Sequence, residues 1–241
     1  MSTFVLVHGG WHGGWCWRKV TPLLRAGGHD VYTPTLAGQG DRVHLANPTI
    51  DLAANTRDIS ALLEYEDLRD VVLVGHSSSG AVIAAAADVV GERLRRLVYL
   101  DAFVPQVGES VFDLIPPPRR EFFEQRARDY GQGWSVPLDW DSALSGWSIT
   151  DPADLEWMRP RLTAQPLALL TQARAGGGVV ATVPSTYLQC QPNPAAATFL
   201  PFAERAKAAP ETWTVRTLDT GHDAMITAPD ELAELLTEAA N

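Results

Sequence analysis

The sequence has few cysteines and little positive charge, and both shortages exclude classes of protein. Its two cysteines, Cys16 and Cys190, lie far apart and not at a spacing typical of metal ligands. We therefore expect neither a disulfide framework nor a metal site. Lysine and arginine number 19 against 29 acidic residues, which gives a formal net charge of −10 without any basic run. We expect no nucleic-acid or membrane partner, and a neutral or apolar small-molecule substrate.

Long apolar runs and internal repeats are also missing. No apolar stretch is long enough to cross a bilayer. The N-terminus leads directly into a strand-like run, Thr3–Val7, without a basic start or a cleavage region, so we expect no signal peptide and a cytoplasmic protein. With 241 residues the chain is long enough for one large α/β domain, as a monomer or a homodimer.

Residues 71–90, VVLVGHSSSGAVIAAAADVV, organise the rest of the chain. The apolar run Val71–Val74 is typical of a strand buried on both faces, and the Ala-rich segment favours a helix. The turn between them is so short that its apex, Ser77, must adopt a strained backbone. This pattern predicts a nucleophile elbow in which the N–H of Ser78 points at a developing oxyanion. Ser79 stands where a second glycine is usual, and an ordinary turn with surface serines is the alternative interpretation.

A glycine-rich stretch follows the first predicted strand. It is HGGWHGGW, residues 8–15, and glycines at this density allow the backbone to approach a ligand closely. An exposed N–H at or next to Gly10 is therefore a candidate second oxyanion donor beside that of Ser78. A plain flexible loop is the alternative.

Strands and helices alternate in the first hundred residues and in the last sixty. The predicted strands are short apolar runs at Phe4–Val7, Asp30–Tyr32, Val71–Val74, Leu97–Leu100, Thr186–Gln191 and Thr212–Leu218. The predicted helices outside the Ala-rich segment are Cys16–Arg25, Asp51–Tyr65 and Pro229–Ala240. This alternation predicts a parallel sheet covered on both faces, with its ligand site beyond the carboxyl ends of the strands.

Four polar side chains follow predicted strands directly or within a short loop. His8, Ser77 and Asp101 come straight after strands, so we expect them at one edge of the sheet. His222 lies in the loop after the last strand, where an imidazole could reach Ser77. A lone histidine is more often structural, but this position favours a general base.

The alternation stops at Pro105 and resumes near residue 184. We therefore predict a core formed by residues 1–104 and 184–241 and a helical cap formed by residues 105–183. The cap is predicted to hold helices at Arg119–Tyr130, Asp151–Arg159 and Gln165–Ala173 and no strong strand. Its tryptophans, Trp134, Trp140, Trp147 and Trp157, either line an apolar pocket or pack the cap on the core.

Taken together, these motifs resemble the α/β-hydrolase superfamily over nearly the whole chain. The shared segments are FVLVHG at 4–9, HGGWCW at 12–17, VLVGHS at 72–77, LDAFVP at 100–105 and GHDAM at 221–225. The nearest likeness is to the branch of hydroxynitrile lyases, salicylate-binding methylesterases and pyrethroid-hydrolase-like esterases. The resemblance implies Ser77 as nucleophile, His222 as base and the N–H groups of Gly10 and Ser78 as oxyanion hole.

Two departures from that branch concern the lyase chemistry. In hydroxynitrile lyases the catalytic histidine is followed by lysine, and threonine follows the histidine of the first strand. This chain has Asp223 and Gly9 at those places. Because cyanohydrin cleavage needs a cation to hold the departing cyanide, Asp223 disfavours a lyase of that type.

A third departure concerns the acid of the triad. Related enzymes carry Asp in a Cys-x-x-Asp pattern after the seventh strand, whereas this chain has Asn193 in that place. An asparagine can hold the histidine tautomer but cannot offset the charge of the imidazolium. Asp101 is the leading substitute because it ends the strand next to the elbow, although a purely structural role is the alternative. Asp219 and Asp223 are close to His222 in sequence, and such short loops rarely let a side chain reach the far ring nitrogen.

The sequence therefore predicts a serine hydrolase that cleaves a carboxylic ester of a small hydrophobic or aromatic molecule through an acyl-enzyme on Ser77, with no cofactor. One alternative is a lyase, cyclase or isomerase that reuses the oxyanion hole, with His222 as proton shuttle and no acyl-enzyme. Another is a non-catalytic protein that binds a small ligand in the cap pocket.

Overall fold

The computed structural model describes residues 1–177, 182–192 and 194–240. Its strands, numbered in chain order, are β1 (Thr3–Val7), β2 (Asp30–Tyr32), β3 (Val71–His76), β4 (Leu94–Leu100), β5 (Ser135–Val136), β6 (Gln165–Pro166), β7 (Ser185–Gln191) and β8 (Trp213–Asp219). Within the described residues, six of them form one sheet in the order β2-β1-β3-β4-β7-β8, and every neighbouring pair is parallel. The predicted parallel α/β sheet is confirmed.

Helices connect the strands and cover the sheet. They are α1 (Val20–Ala26), α2 (Leu52–Tyr65), α3 (Ser79–Val90), α4 (Pro117–Tyr130), α5 (Trp140–Trp147), α6 (Pro152–Met158), α7 (Leu167–Thr171), α8 (Ala196–Lys207), α9 (Ala224–Thr227) and α10 (Pro229–Ala239). Helix α2 begins where the Asp51 carboxylate accepts a hydrogen bond from the Ala54 N–H at 2.7 Å, which satisfies one of the free donors of its first turn. No helix among the described residues is long and apolar enough to span a membrane.

The sheet has an apolar cluster on each face, as its strand sequences require. In β1, Val5 and Val7 belong to the cluster under α2 and α3, while Phe4 and Leu6 belong to the cluster under α1 and α10. All four side chains are fully buried. A continuous apolar strand rather than an alternating one is needed for this two-sided burial, and each such side chain contributes about 1.5–3 kcal/mol.

Prolines explain two helix predictions that were wrong. The predicted helix Cys16–Arg25 is a 3₁₀ turn, Gly14–Arg18, followed by α1, because Pro22 has no N–H for the bond that a continuous helix would form. The predicted helix Gln165–Ala173 begins as strand β6, and only Leu167–Thr171 is helical. Pro166 holds its predecessor out of the helical region.

The segment between β4 and β7 carries α4–α7 and the antiparallel pair β5–β6, although we expected no strong strand there. It is attached to the core at well-separated points. The Trp11 Nε1–H donates to the Val136 carbonyl at 2.9 Å, and the Gly40 N–H donates to Thr163 Oγ1 at 2.8 Å. Near its far end, Arg174 pairs with Asp88 at 2.6 Å, and both are 4 % exposed. These contacts hold the segment against the edge at which β1, β3 and β4 end.

Candidate active site

Ser77 lies at the apex of a sharp turn between β3 and α3. Its φ of +55° is in the left-handed region, which non-glycine residues rarely adopt. Two backbone hydrogen bonds tie this turn to the end of β4: Ser77 N–H donates to the Leu100 carbonyl at 3.2 Å, and Phe103 N–H donates to the Ser77 carbonyl at 3.1 Å. The neighbouring strand therefore holds the strained conformation in place.

The elbow has glycine at position 80 instead of the usual position 79, and this difference has a steric explanation. A Cβ at Gly75 would lie 2.7 Å from the Ser79 carbonyl oxygen, and a Cβ at Gly80 would collide with the Phe103 carbonyl. Position 79 has room for a hydroxyl group, which donates to the His8 carbonyl. Glycine is thus required at 80 rather than at 79, and the departure from the usual motif leaves the turn intact.

The His222 imidazole is hydrogen-bonded to the buried carboxylate of Asp101, the residue that directly follows β4. His222 Nδ1–H donates to Asp101 Oδ2 at 2.7 Å. Asp101 is fully buried and has a φ of +41°, so its side chain turns back under the edge of the sheet. The ring of Phe199 stacks on His222 at 4.9 Å between centroids. Asp101 is therefore the residue that bonds Nδ1 of His222, while Asn193 lies outside the described residues.

Opposing effects act on the pKa of His222. Burial by itself lowers this pKa, but the hydrogen bond and the charge of Asp101, with a smaller contribution from Asp223, raise it above its ordinary value. An imidazole in this environment accepts a proton more readily than one in water. That property suits a general base whose protonated form must be stabilised during attack.

Ser77 and His222 open into the same cavity. Within the described part of the chain, Ser77 Oγ makes no hydrogen bond. Catalytic hydrogen bonds are often long in a ligand-free enzyme and tighten when substrate binds. Ser77, His222 and Asp101 therefore lie together at the edge of the sheet at which β3 and β4 end.

The glycine-rich loop packs Gly9 against the elbow, where a Cβ would lie 2.9 Å from Ser77 Cβ, and His8 fixes the orientation of the Gly10 N–H. Leu36 N–H donates to His8 Nε2 at 3.0 Å, so the proton of this imidazole is on Nδ1, which donates to the Gly9 carbonyl at 2.8 Å. That carbonyl and the Gly10 N–H belong to one peptide plane. Burial lowers the pKa of His8 to about 4, so the ring stays neutral near pH 7. Among the described residues, neither Gly10 N–H nor Ser78 N–H donates to another group.

A second buried carboxylate lies behind His222. Asp223 is fully buried, with Oδ2 at 3.3 Å from His12 Nε2 and Oδ1 at 3.6 Å from His76 Nε2. Burial raises the pKa of Asp223, but the nearby imidazoles of His12, His76 and His222 more than offset this, so the pKa lies below its ordinary value. As expected from the short loop, Asp223 does not contact Nδ1 of His222, and Asp219 is exposed at the end of β8.

The arrangement of these histidines also bears on metal binding. His76, His222 and Asp223 offer donor atoms within 4.8 Å of one another. However, His222 Nδ1 is already bonded to Asp101, and His76 Nε2–H donates to the His222 carbonyl at 3.1 Å. Each of these two imidazoles therefore has one ring nitrogen engaged within the chain, whereas no hydrogen bond to the Asp223 oxygens is found among the described residues. Spacing rules did not predict this cluster, because only the fold brings position 76 to positions 222 and 223.

The cavity above Ser77 has a volume of about 470 Å³, and aromatic, aliphatic and a few charged side chains line it. Its aromatic side chains are Trp11, Phe103, Phe122, Phe123, Trp147 and Phe199. Of the tryptophans considered in the sequence, Trp147 lines the cavity, whereas Trp157 packs on Trp15 at 5.2 Å between ring centroids. The dimensions and the lining suit a small apolar or aromatic molecule.

Comparisons with known proteins agree with this geometry. A model of the alpha/beta hydrolase family matches residues 4–235, and the chain belongs to this family. It is 39% identical over 252 residues to the carbendazim hydrolyzing esterase of Nocardioides sp. (strain SG-4G), a match that covers 98% of each chain. The alpha-hydroxynitrile lyase of Arabidopsis thaliana is 40% identical over 104 residues, which are 42% of this chain and 40% of that protein.

The solved structure of an extracellular α/β-hydrolase from a Paenibacillus species superposes on 99% of this chain and 99% of its own, with a TM-score of 0.87 and 26% identity. That protein is described as sharing structural and functional homology with tobacco salicylic acid binding protein 2. The predicted family and fold are thereby confirmed. The chain is an enzyme of the hydrolase class, related to esterases.

Proposed function

We propose that this enzyme is a serine esterase that hydrolyses a carboxylic ester of a small hydrophobic or aromatic molecule through an acyl-enzyme on Ser77. The observation that carries the proposal is the 2.7 Å hydrogen bond between His222 and Asp101. It orients the imidazole at the same cavity into which the strained Ser77 turn opens.

Acylation uses each part of the site in turn. Ser77 Oγ attacks the ester carbonyl while His222 Nε2 takes its proton. The carbonyl oxygen becomes an oxyanion, which accepts hydrogen bonds from the N–H groups of Gly10 and Ser78. Asp101 stabilises the imidazolium and keeps the His222 proton on Nδ1 before the attack.

Deacylation repeats these steps with water. The alkoxide leaves with the proton held by His222, and a water molecule then attacks the acyl carbon as His222 again accepts a proton. Ser77 recovers its proton when the acid is released. All of the proton transfers take place on chain residues, so the reaction as proposed requires no cofactor or metal.

We also propose that residues 105–183 act as the cap that selects the substrate. Helix α4 of this segment supplies Phe122 and Phe123 to the cavity wall, and α5 supplies Trp147. The name of the Nocardioides relative supports ester hydrolysis and makes carbendazim a compound to assay. We further propose that the substrate is a small molecule and that the enzyme has no nucleic-acid or membrane partner. We also propose that it is a monomer or a homodimer and is cytoplasmic.

The nucleophile can be tested by covalent labelling and substitution. We expect Ser77→Ala to lower kcat/KM for 4-nitrophenyl butyrate by about 10⁴-fold or more. Ser78→Ala, which keeps its backbone N–H, is the matched control, and we expect it to stay within about tenfold of the parent enzyme. An organophosphate should modify Ser77 in peptide mass maps. Full turnover by Ser77→Ala, or a label on a different residue, would refute the proposal.

The alternative functions have weaker support. Hydroxynitrile lyases of the related branch have threonine where this chain has Gly9, and a Cβ there would lie 2.7 Å from His76 Nδ1. The suggestion of a lyase, cyclase or isomerase came mainly from the missing acid, and the hydrogen bond between Asp101 and His222 weakens that argument. A non-catalytic ligand-binding protein has no need for an oriented imidazole at its pocket.

A further inference from the structure

Gln165 places a fully buried carboxamide in the wall of the substrate cavity. The residue is 1 % exposed, and its Oε1 has no hydrogen-bond partner within the described part of the chain. An unsatisfied buried polar atom is costly, and native structures contain few of them without a reason. A ligand that supplies the missing partner is one such reason.

The position of this side chain is well defined. Gln165 belongs to β6, where it pairs with Val136 of β5. Trp11 is bonded both to β5 and to the residues just before β6. Its Nε1–H donates to the Val136 carbonyl at 2.9 Å, and its carbonyl accepts from the Thr163 N–H at 2.9 Å. The backbone that carries the carboxamide is therefore fixed directly to the oxyanion loop.

The carboxamide lies against Gly10. Oε1 of Gln165 occupies the place that a Cβ at position 10 would take. The same cavity is lined by Ser77, Ser78 and His222. An acyl group bound at Ser77 with its oxygen in the oxyanion hole therefore has Gln165 as a neighbour on the Gly10 side.

Arg126, another polar residue of the cavity wall, already has hydrogen-bond partners within the chain. Arg126 pairs with Asp139 at 3.0 Å and also donates to the carbonyls of Pro137 and Leu138, at 3.0 Å each. The cavity wall also contains the aromatic rings of Trp11 and Trp147. A polar substrate atom next to the reacting carbon thus finds an acceptor at Gln165.

We propose that Gln165 forms a polar subsite beside the oxyanion hole that accepts a hydrogen bond from an O–H or N–H on the atom attached to the scissile carbonyl. The substrate class is then an ester with a donor at that place, such as an α-hydroxy ester or a carbamate, with an apolar or aromatic remainder. This inference rests on the proposed esterase function and narrows it. Gln165 sets specificity and takes no part in the proton transfers.

The test compares two methyl esters that differ in one group. Methyl mandelate carries the α-hydroxyl, and methyl 2-phenylpropanoate has a methyl group in its place. The kcat/KM ratio of the two is measured for the parent enzyme, Gln165→Met and the control Thr198→Val, which alters another polar side chain of the cavity. Alkaline hydrolysis of both esters gives the reference for their intrinsic reactivity.

We expect the parent enzyme to favour mandelate over the reference ratio by about 10–100-fold, because a site built to bond a hydroxyl group discriminates against an analogue without one. Gln165→Met should bring the ratio close to the reference, through a lower kcat/KM for methyl mandelate. Thr198→Val should keep the ratio of the parent. An unchanged ratio in a folded Gln165→Met enzyme would overturn the subsite.

If neither ester is hydrolysed, the proposed function fails on these substrates, and the subsite is tested by binding alone. Calorimetry with Ser77→Ala then compares mandelamide with 2-phenylpropanamide. A preference of about tenfold for mandelamide that disappears in Ser77→Ala/Gln165→Met supports the subsite. Equal binding of the two amides, or a preference that persists in the double variant, overturns it.

Discussion

Asp101 and Asp223 are two fully buried carboxylates beside one imidazole, and they are bound in different ways. Asp101 accepts the Nδ1–H of His222 at 2.7 Å. Asp223 follows His222 directly in sequence, yet it faces His12 at 3.3 Å and His76 at 3.6 Å. Equal burial and an equal charge therefore lead to different roles, and the atom that each carboxylate contacts makes the difference.

Through its contact, Asp101 holds the proton of His222 on Nδ1, whereas Asp223 acts from a distance. His12 Nδ1–H donates to the Gly10 carbonyl at 2.7 Å, which leaves Nε2 of the same ring facing Asp223. Asp223 thus connects the loop of the base to the loop of the oxyanion donor. The comparison predicts that loss of Asp101 affects the reaction rate and that loss of Asp223 affects mainly stability.

Of the substitutions that compare the two carboxylates, Asp101→Asn should have the largest effect on the reaction rate. We expect kcat/KM to fall by about 10³–10⁴-fold, because an amide cannot hold the His222 proton on Nδ1 or offset the imidazolium charge. Asparagine also tolerates the positive φ of this residue. Without the carboxylate, burial dominates and the pKa of His222 falls, so the acidic limb of the kcat/KM profile should move to lower pH.

A pH–rate profile and a thermal unfolding curve of the Asp101→Asn enzyme check this prediction. A folded variant that retains more than a tenth of the parental kcat/KM would show that Asp101 is structural. The acid would then have to be sought elsewhere.

Asp223→Asn should lower the stability of the fold more than it lowers the reaction rate. We expect a loss of about 3 kcal/mol in the free energy of unfolding, because His12 and His76 lose a buried charged partner. The rate should fall by about tenfold or less, with a smaller shift of the acidic limb in the same direction. Urea unfolding and the pH profile provide the two measurements.

Asp219→Asn is the matched control for that experiment, because it makes the same change at an exposed site three residues before His222. We expect it to alter stability by about 0.5 kcal/mol or less. If Asp223→Asn were as stable as this control and as slow as Asp101→Asn, the assigned division of roles would be wrong.

Asn193→Ala should have the smallest effect on the reaction rate. Because Asp101 already bonds Nδ1 of His222, we expect kcat/KM for an aryl ester to change by less than about threefold. Steady-state kinetics on the same ester as the Asp101→Asn enzyme give the comparison. A loss of about a hundredfold or more would mean that the usual acid position still serves the triad.

The sequence predicted the strands well because their signal is local. A run such as Val71–Val74 is apolar at every position, and only burial on both faces explains that pattern. Helix α8 was missed because Pro201 lies inside it and further prolines precede it. Its Phe199 and Phe202 pack on the core, and this tertiary packing outweighs the local preference.

The candidate site was predictable in part for the same reason. Ser77 and His222 stand in recognisable turns after strands, so their positions follow from the strand pattern. The acid could only be offered as one of several carboxylates, because contact between Asp101 and a residue 121 positions away depends on the fold. The cluster around Asp223 and the carboxamide of Gln165 carry no local signal at all.

The imidazole of His8 has a consequence for engineering this enzyme. Through that ring, the Gly10 N–H, which we propose as an oxyanion donor, is oriented by the backbone of Leu36 in the loop after β2. Substitutions that displace residues 34–40 should slow turnover and leave substrate affinity nearly intact. A library restricted to the positions that touch a ligand would omit this loop, so a campaign for faster variants should include it.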